Sequence, residues 1–205
     1  MNYPRPTRRL LILSLLAIVC LTIPSCQSPQ PPLPTVKYDD PYRPIPLATL
    51  GRAQVGHLVQ FFTATHPNPD LNQLNAIARI YIEEAAAEGI NSDIAFCQMC
   101  IETNYLRYGG DVKPWQYNFC GLGATGNGEP GLTFLSVEIG VRAHIQHLKA
   151  YANAQPLKKK CVDPRFSLVR RASAPYVEDL TGKWASDPQY AAKIKKKLQT
   201  LEALL

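Results

Sequence analysis

Between Gly109 and Phe134 the chain gathers Gly109, Gly110, Gly121, Gly123, Gly126, Gly128 and Gly131 with Pro114 and Pro130, a composition that no long helix tolerates. The flanking segments read in the opposite way. Val55, Leu58, Val59, Phe61 and Phe62 recur at helical spacing until Thr65-His66-Pro67-Asn68-Pro69 stops them. Asp70 with Gln73 forms a capping pair for a second helix, whose face is Leu71, Leu74, Ile77, Ala78, Ile80, Tyr81 and Ala85 and whose end is Gly89. A third helix starts near Asn91 or Ser92 and contains Glu102. Beyond the glycine-rich block, Ser136 caps a helix running to about Asn153 with Val141, Ile145 and Leu148 inward. A weaker helix is predicted around Ala174–Leu180. Asp187-Pro188 opens the last, with Ile194, Leu198 and Leu201 on one side and lysines on the other. The fold expected is mainly α, with one short glycine-rich loop or β-hairpin lobe.

The N-terminal residues belong to a different class. Arg5, Arg8 and Arg9 precede an uncharged apolar stretch from Leu10 to Ile23, too short to span a bilayer comfortably, so residues 1–26 read as an export signal. Its end, Ile23-Pro24-Ser25-Cys26, resembles a bacterial lipobox, which implies cleavage after Ser25 and diacylglyceryl modification of Cys26. Residues 27–46 are rich in proline and read as a spacer, leaving 47–205 as the folded domain. Removing 1–26 takes away three arginines and no acid, so the charge falls from +6 to +3. The remaining clusters, such as Lys158-Lys159-Lys160, suit solvated helix faces, and no motif supports nucleic acid binding. Export permits disulfides; Cys97, Cys100, Cys120 and Cys161 are expected as buried thiols or with one bridge, for instance Cys120 to Cys161.

Chemistry first shows at CQMCIETNYLRYGGD, residues 97–111. From Ile94 to Leu106 only Glu102 is charged. A carboxylate among apolar groups loses hydration, which favours its neutral form. A carboxyl group still protonated near neutral pH is a proton donor for a poor leaving oxygen, the need of glycosidic bond cleavage.

The segment Gln98-Met99-Cys100-Ile101-Glu102-Thr103 resembles the Q-x-x-x-E-[ST] helix of the glucosaminidase family of lysozyme-like peptidoglycan hydrolases. Tyr117 to Ala124 is similar to that family's N-x-F-G-[IL] stretch. Phe134-x-Ser136 with Gly140-Val141-Arg142-Ala143 is similar to its next helix entry, and Trp184-Ala185-Ser186-Asp187-Pro188-x-Tyr190-Ala191-x-Lys193-Ile194 to its ending. The resemblance covers about residues 50–200. It implies a lysozyme-like α+β fold, with a lobe beside a cleft and Glu102 as the catalytic acid. Asn118, Trp184 and Tyr190 become candidate substrate-binding residues. The activity implied is cleavage of the β-1,4 bond after N-acetylglucosamine in peptidoglycan strands, by an exported, lipid-anchored monomer with no metal or organic cofactor. A muramidase, a lytic transglycosylase, or a non-catalytic wall-binding lipoprotein are the alternatives.

Two departures from the family pattern matter. Asn104 stands where relatives carry glycine, a position asparagine fills in left-handed backbone. The lobe is short, so the second catalytic carboxylate is assigned to Glu129, with Asp111, Glu138 or the substrate's own acetamido group as alternatives. His144 and His147 lie three apart on one helix but lack a third ligand at informative spacing, so no metal is expected there.

Overall fold

Asp70 accepts hydrogen bonds from the N–H groups of Asn72 (2.9 Å) and Gln73 (3.1 Å), so the second helix begins where the capping pair predicts. The computed structural model describes Met1, residues 36–40, 42–126 and 128–205. The chain divides into Met1–Pro32, of which only Met1 is described, and Leu33–Leu205, to which everything below refers. The export signal, the lipobox, Cys26 and the first part of the spacer therefore lie outside the described residues.

Five α-helices carry the fold among the described residues: α1 (Val55–Thr63), α2 (Leu71–Glu88), α3 (Ser92–Glu102), α4 (Val137–Ala152) and α5 (Tyr190–Glu202). Strands are almost absent, only isolated bridges such as Gly126 to Glu129. The lobe is thus loop with one 3-10 turn, Pro114–Gln116, and not a regular hairpin. Short 3-10 turns at Phe166–Leu168 and Val177–Leu180 replace the loop and the weak helix expected there. The last helix begins at Tyr190, later than expected. Asp187 instead accepts from the Gln189 N–H (2.8 Å) and pairs with Lys193 (2.6 Å) just ahead of it.

Helix α3 is the central post. From Ser92 to Cys100 every residue is buried, because α1, α2, α4 and α5 all pack against it. Each large apolar side chain there, such as Ile94, Phe96 or Met99, contributes about 1.5–3 kcal/mol by leaving water. The predicted inward faces hold for Val141, Ile145 and Leu148 on α4 and for Ile194, Leu198 and Leu201 on α5; Leu71 is the exception and is exposed. Gly140 permits the close approach of α4 to the lobe, since a Cβ there would sit 1.8 Å from the Tyr117 carbonyl oxygen.

The spacer boundary moves. Tyr38, Ile45 and Leu47 are at most 1% exposed and belong to the core, and the Tyr38 hydroxyl donates to Asp93 (2.8 Å) at the start of α3. Proline disfavours helix but not burial, and Val36, Tyr38 and Ile45 are buried on the domain while Lys37, Tyr42 and Arg43 stay exposed. No disulfide forms among Cys97, Cys100, Cys120 and Cys161. The first three are buried thiols whose pKa values burial pushes up, and Cys161 is exposed.

Candidate active site

Gln98 and Glu102 stand four residues apart, which places them on one face at the C-terminal end of α3. The helix stops directly after the acid. Thr103 Oγ1 donates to the Met99 carbonyl (2.7 Å) and accepts from the Leu106 N–H (2.9 Å). Asn104 then takes φ 49°, as its sequence position requires, but Tyr105 (55°), Leu106 (58°) and Tyr108 (58°) follow it into left-handed backbone. Each such non-glycine residue costs roughly 1–2 kcal/mol. Burial of Tyr105 against Phe62, at 5.3 Å between ring centroids, offsets that cost.

The Glu102 carboxyl is divided between two environments. Its Oε1 accepts from the Trp184 indole N–H (3.1 Å) and from the Tyr190 hydroxyl. Its Oε2 takes no hydrogen bond from any described residue and faces Gly121, whose absent side chain would stand 3.6 Å away. Gly121 lies at φ 70°, so the backbone there favours glycine and the same residue leaves that oxygen uncovered. Burial raises the Glu102 pKa, with the two donors to Oε1 pulling the other way.

Behind the carboxyl runs a line of buried polar groups. Gln98 Nε2 donates to the Tyr190 hydroxyl oxygen at 2.7 Å. Gln98 Oε1 lies 2.9 Å from His144 Nε2, and His144 Nδ1 lies 2.9 Å from the Tyr81 hydroxyl. Tyr81, Gln98 and His144 are all 0% exposed. Burial holds the His144 pKa down to about 3, so the ring is neutral.

The comparisons with known proteins meet this geometry. Residues 78–203 match the glucosaminidase family model, described as mannosyl-glycoprotein endo-beta-N-acetylglucosaminidase. The chain belongs to the glucosaminidase family. It is also 47% identical over 155 residues to an uncharacterized protein of Borreliella burgdorferi, a match covering 76% of each chain. The family match takes in α3, the lobe, α4, Trp184 and the start of α5, the whole of the arrangement around Glu102.

Within this glucosaminidase-family domain the predicted site residues separate. Glu102, Trp184 and Tyr190 come together. Trp184 gives its N–H to the acid, while its ring packs against His147 and Tyr151 at 5.1 and 5.8 Å. Asn118 does not reach the substrate side: its Nδ2 donates to the Leu122 (2.9 Å) and Leu132 (3.0 Å) carbonyls and its Oδ1 accepts from the Leu122 N–H (3.0 Å). Its amide is spent holding the lobe together. Glu129 stands exposed on the lobe, and its side chain makes no hydrogen bond or ion pair with any described residue. Glu138 pairs with Arg142, and Asp111 is half-buried without a bonded partner. Among the described residues no second carboxylate is bonded into the site. His144 and His147 share no ligand position, since His147 Nδ1 pairs with Asp163 (2.7 Å) and both His144 nitrogens are engaged.

A groove of about 210 Å³ opens beside Trp184, lined by Gly121 to Thr125, His147, Tyr151, Arg165 and Lys183. The Arg165 guanidinium makes no hydrogen bond or ion pair with any described residue and lies near enough to Tyr151 to act on its hydroxyl. A larger cavity of about 460 Å³ lies between α1, α3 and α5, but its walls include none of Glu102, Trp184 or Tyr190. The smaller groove reaches the acid through two of its walls, Trp184, which donates to Glu102 Oε1, and Gly121, which Oε2 faces; Glu102 and Tyr190 themselves stand outside its lining. Arg165 was not singled out by sequence, Gln98 and Gly121 appeared only within family motifs, and His144 was weighed only as a metal ligand. Only Gln98 carried a usable signal, through its spacing from Glu102.

Proposed function

We propose that the protein is a peptidoglycan hydrolase, an endo-β-N-acetylglucosaminidase that cleaves the β-1,4 bond after N-acetylglucosamine with Glu102 as general acid. One observation carries the reading. A half-buried carboxyl has one oxygen tied by two donors and the other open toward Gly121 at the wall of a groove, with desolvation favouring its protonated form. Glu102 then gives the Oε2 proton to the departing glycosidic oxygen, as a lone acid in a water-poor niche does. Tyr190 and Trp184 stabilise the carboxylate left behind.

Attack at the anomeric carbon needs a second group. With no other carboxylate bonded to the site, the substrate's own acetamido oxygen serves as the internal nucleophile. Water then opens the resulting ring, losing a proton to Glu102. The same lone acid also suits a lytic transglycosylase, in which a muramoyl hydroxyl replaces water. Arg165 and Lys183 beside the groove favour a strand bearing carboxylates, as peptidoglycan does, over a neutral chitin-like polymer. Acylation of Cys26, with the proline-rich residues behind it, would hold the enzyme at a membrane face after export.

Mass spectrometry of digested sacculi tests the reading. New reducing-end N-acetylglucosamine from wild type and none from Glu102→Gln is the result expected. Anhydromuramic ends establish the transglycosylase instead, and intact sacculi that still bind the wild-type protein remove the enzyme altogether. Incorporation of labelled palmitate, lost in Cys26→Ser, tests the anchor.

A further inference from the structure

The line from Tyr81 to Glu102 has two possible directions of hydrogen bonding, and they are not equivalent. In one, Tyr81 donates to His144 Nδ1, His144 Nε2–H donates to Gln98 Oε1, Gln98 Nε2 donates to Tyr190, and Tyr190 donates to Glu102 Oε1. In the reverse, every donor turns round and Glu102 must carry its proton on Oε1, aimed into the protein. The far end decides between them. Tyr81 is 0% exposed and its hydroxyl has His144 Nδ1 as its one bonding partner among the described residues. In the reverse direction that nitrogen carries hydrogen, and the Tyr81 hydroxyl hydrogen is buried without an acceptor, a loss of about 1–3 kcal/mol. In the forward direction only a spare oxygen lone pair goes unused.

We propose that Tyr81, His144 and Gln98 are positioning residues. Together they form a one-way hydrogen-bond line that fixes His144 as the Nε2–H tautomer and places the Glu102 proton on Oε2, facing the groove. The proposal rests on Glu102 as the acid, but concerns where its hydrogen resides and what keeps it there. Trp184 supports the same polarity, since an indole N–H only donates and so marks Oε1 as an acceptor. Among the described residues no cation bonds Glu102. The titratable neighbours are Tyr81 on α2, Tyr190 on α5 and the Cys120 thiol on the lobe, which burial keeps protonated; α4 adds neutral His144 and, beside Trp184, His147, which pairs with Asp163 from the loop after the helix.

The test is Gln98→Glu. This near-isosteric change puts an acceptor where Nε2 donates, so the Tyr190 hydrogen turns toward residue 98 and away from Glu102. Glu102 loses a donor to its carboxylate and titrates higher; the basic limb of kcat/KM moves upward with it, and kcat falls about tenfold at unchanged KM. A scaffold role alone lowers thermal stability and leaves both titrations in place. The Glu102 titration is read directly by NMR of carboxyl-13C-labelled glutamate, assigned through Glu102→Gln, and needs no activity. A shifted titration without cleavage of sacculi by wild type keeps the line and removes the hydrolase; cleavage with an unshifted titration does the reverse. Should Gln98→Glu not fold, 15N spectra of histidine in wild type still decide. A neutral Nε2–H form of His144 from pH 8 down to about 5 is expected, and an Nδ1–H form or an imidazolium in that range overturns the proposal.

Discussion

Helix α3 carries a carboxylate near each end, and the two have opposite surroundings. Asp93, in the first turn, accepts at Oδ2 from the Arg52 N–H (2.7 Å) and the Tyr38 hydroxyl (2.8 Å), and at Oδ1 from Ala53 N–H (3.2 Å) and Ser92 (3.3 Å). Glu102, the last residue, has donors on Oε1 alone and an open Oε2. The helix dipole reinforces the contrast, because it favours negative charge at the N-terminus and disfavours it at the C-terminus. One acid is saturated and ties the N-terminal segment to the core. The other is left half-satisfied beside a groove, the condition in which a carboxyl has a proton to give.

The sharpest break in the comparison is Glu102→Gln, which should reduce turnover on peptidoglycan by roughly 10³-fold while leaving the fold intact. Stability should move the other way. The folded Glu102 pKa lies above the ordinary 4.5, so the stability its protonated form contributes is full below 4.5 and is lost as pH rises through the folded value. Glutamine cannot ionise. The variant should therefore gain on wild type as pH rises through that window, in thermal melts run across pH. A constant gap would mean that Glu102 is not held protonated by burial.

Asp93→Ala should do the reverse. It strips the acceptor from two backbone N–H groups and a buried hydroxyl, costing about 3 kcal/mol or more in urea unfolding. The activity of the protein that remains folded should match wild type. If Asp93→Ala unfolds as readily as wild type, the N-terminal residues around Tyr38 are not anchored as the structure has them.

How far the sequence announced this contrast differs between the two ends. Helix existence was legible from apolar period and caps, as Asp70 and Ser136 show by accepting from the N–H groups expected. Glu102 was legible as a lone charge in an apolar run, and Tyr190 and Trp184 through the family resemblance. Asp93 was not, because its partners Tyr38, Arg52 and Ala53 come from some 40 to 55 residues away, Tyr38 in chain read as spacer and the other two at the start of the domain. Asn118 shows a related limit: polar residues in a glycine-rich turn read alike whether they face sugar or brace the backbone, as its amide does here. His144 and Lys149 are buried polar residues of α4 whose partners lie on α2 and α3. Lys149 pairs with Glu88 at 2.7 Å, and no pattern within α4 records that. Periodicity reports which side of a helix is inside; it does not report which polar group waits there.

Tyr190→Phe removes the hydroxyl donor to Oε1 and should cost about tenfold in kcat, the worth of one hydrogen bond to a charged group. Because the lost bond favoured the carboxylate, Glu102 should titrate still higher and the basic limb of the pH–rate profile should shift up. An unmoved limb would assign that limb to some other group.

The finest comparison deletes one donor at each end. Trp184→Phe removes the indole N–H from Glu102 Oε1 but keeps an aromatic ring against His147 and Tyr151; Tyr38→Phe removes one hydroxyl from Asp93 Oδ2. Trp184→Phe deletes one bond worth about 1 kcal/mol, and Tyr38→Phe deletes the bond to Asp93 together with the Tyr38 hydroxyl's contacts to Asn91 at 3.0 and 3.1 Å. At the C-terminal end that energy bears on which protonation state the acid prefers, so Trp184→Phe should lower kcat severalfold and raise the basic limb by less than Tyr190→Phe does. At the N-terminal end it bears on whether the chain before α1 stays docked, so Tyr38→Phe should lower the unfolding free energy and leave the pH–rate profile untouched. A profile that moved in Tyr38→Phe would couple the two ends through α3, and the division between a structural and a reactive carboxylate on one helix would fail.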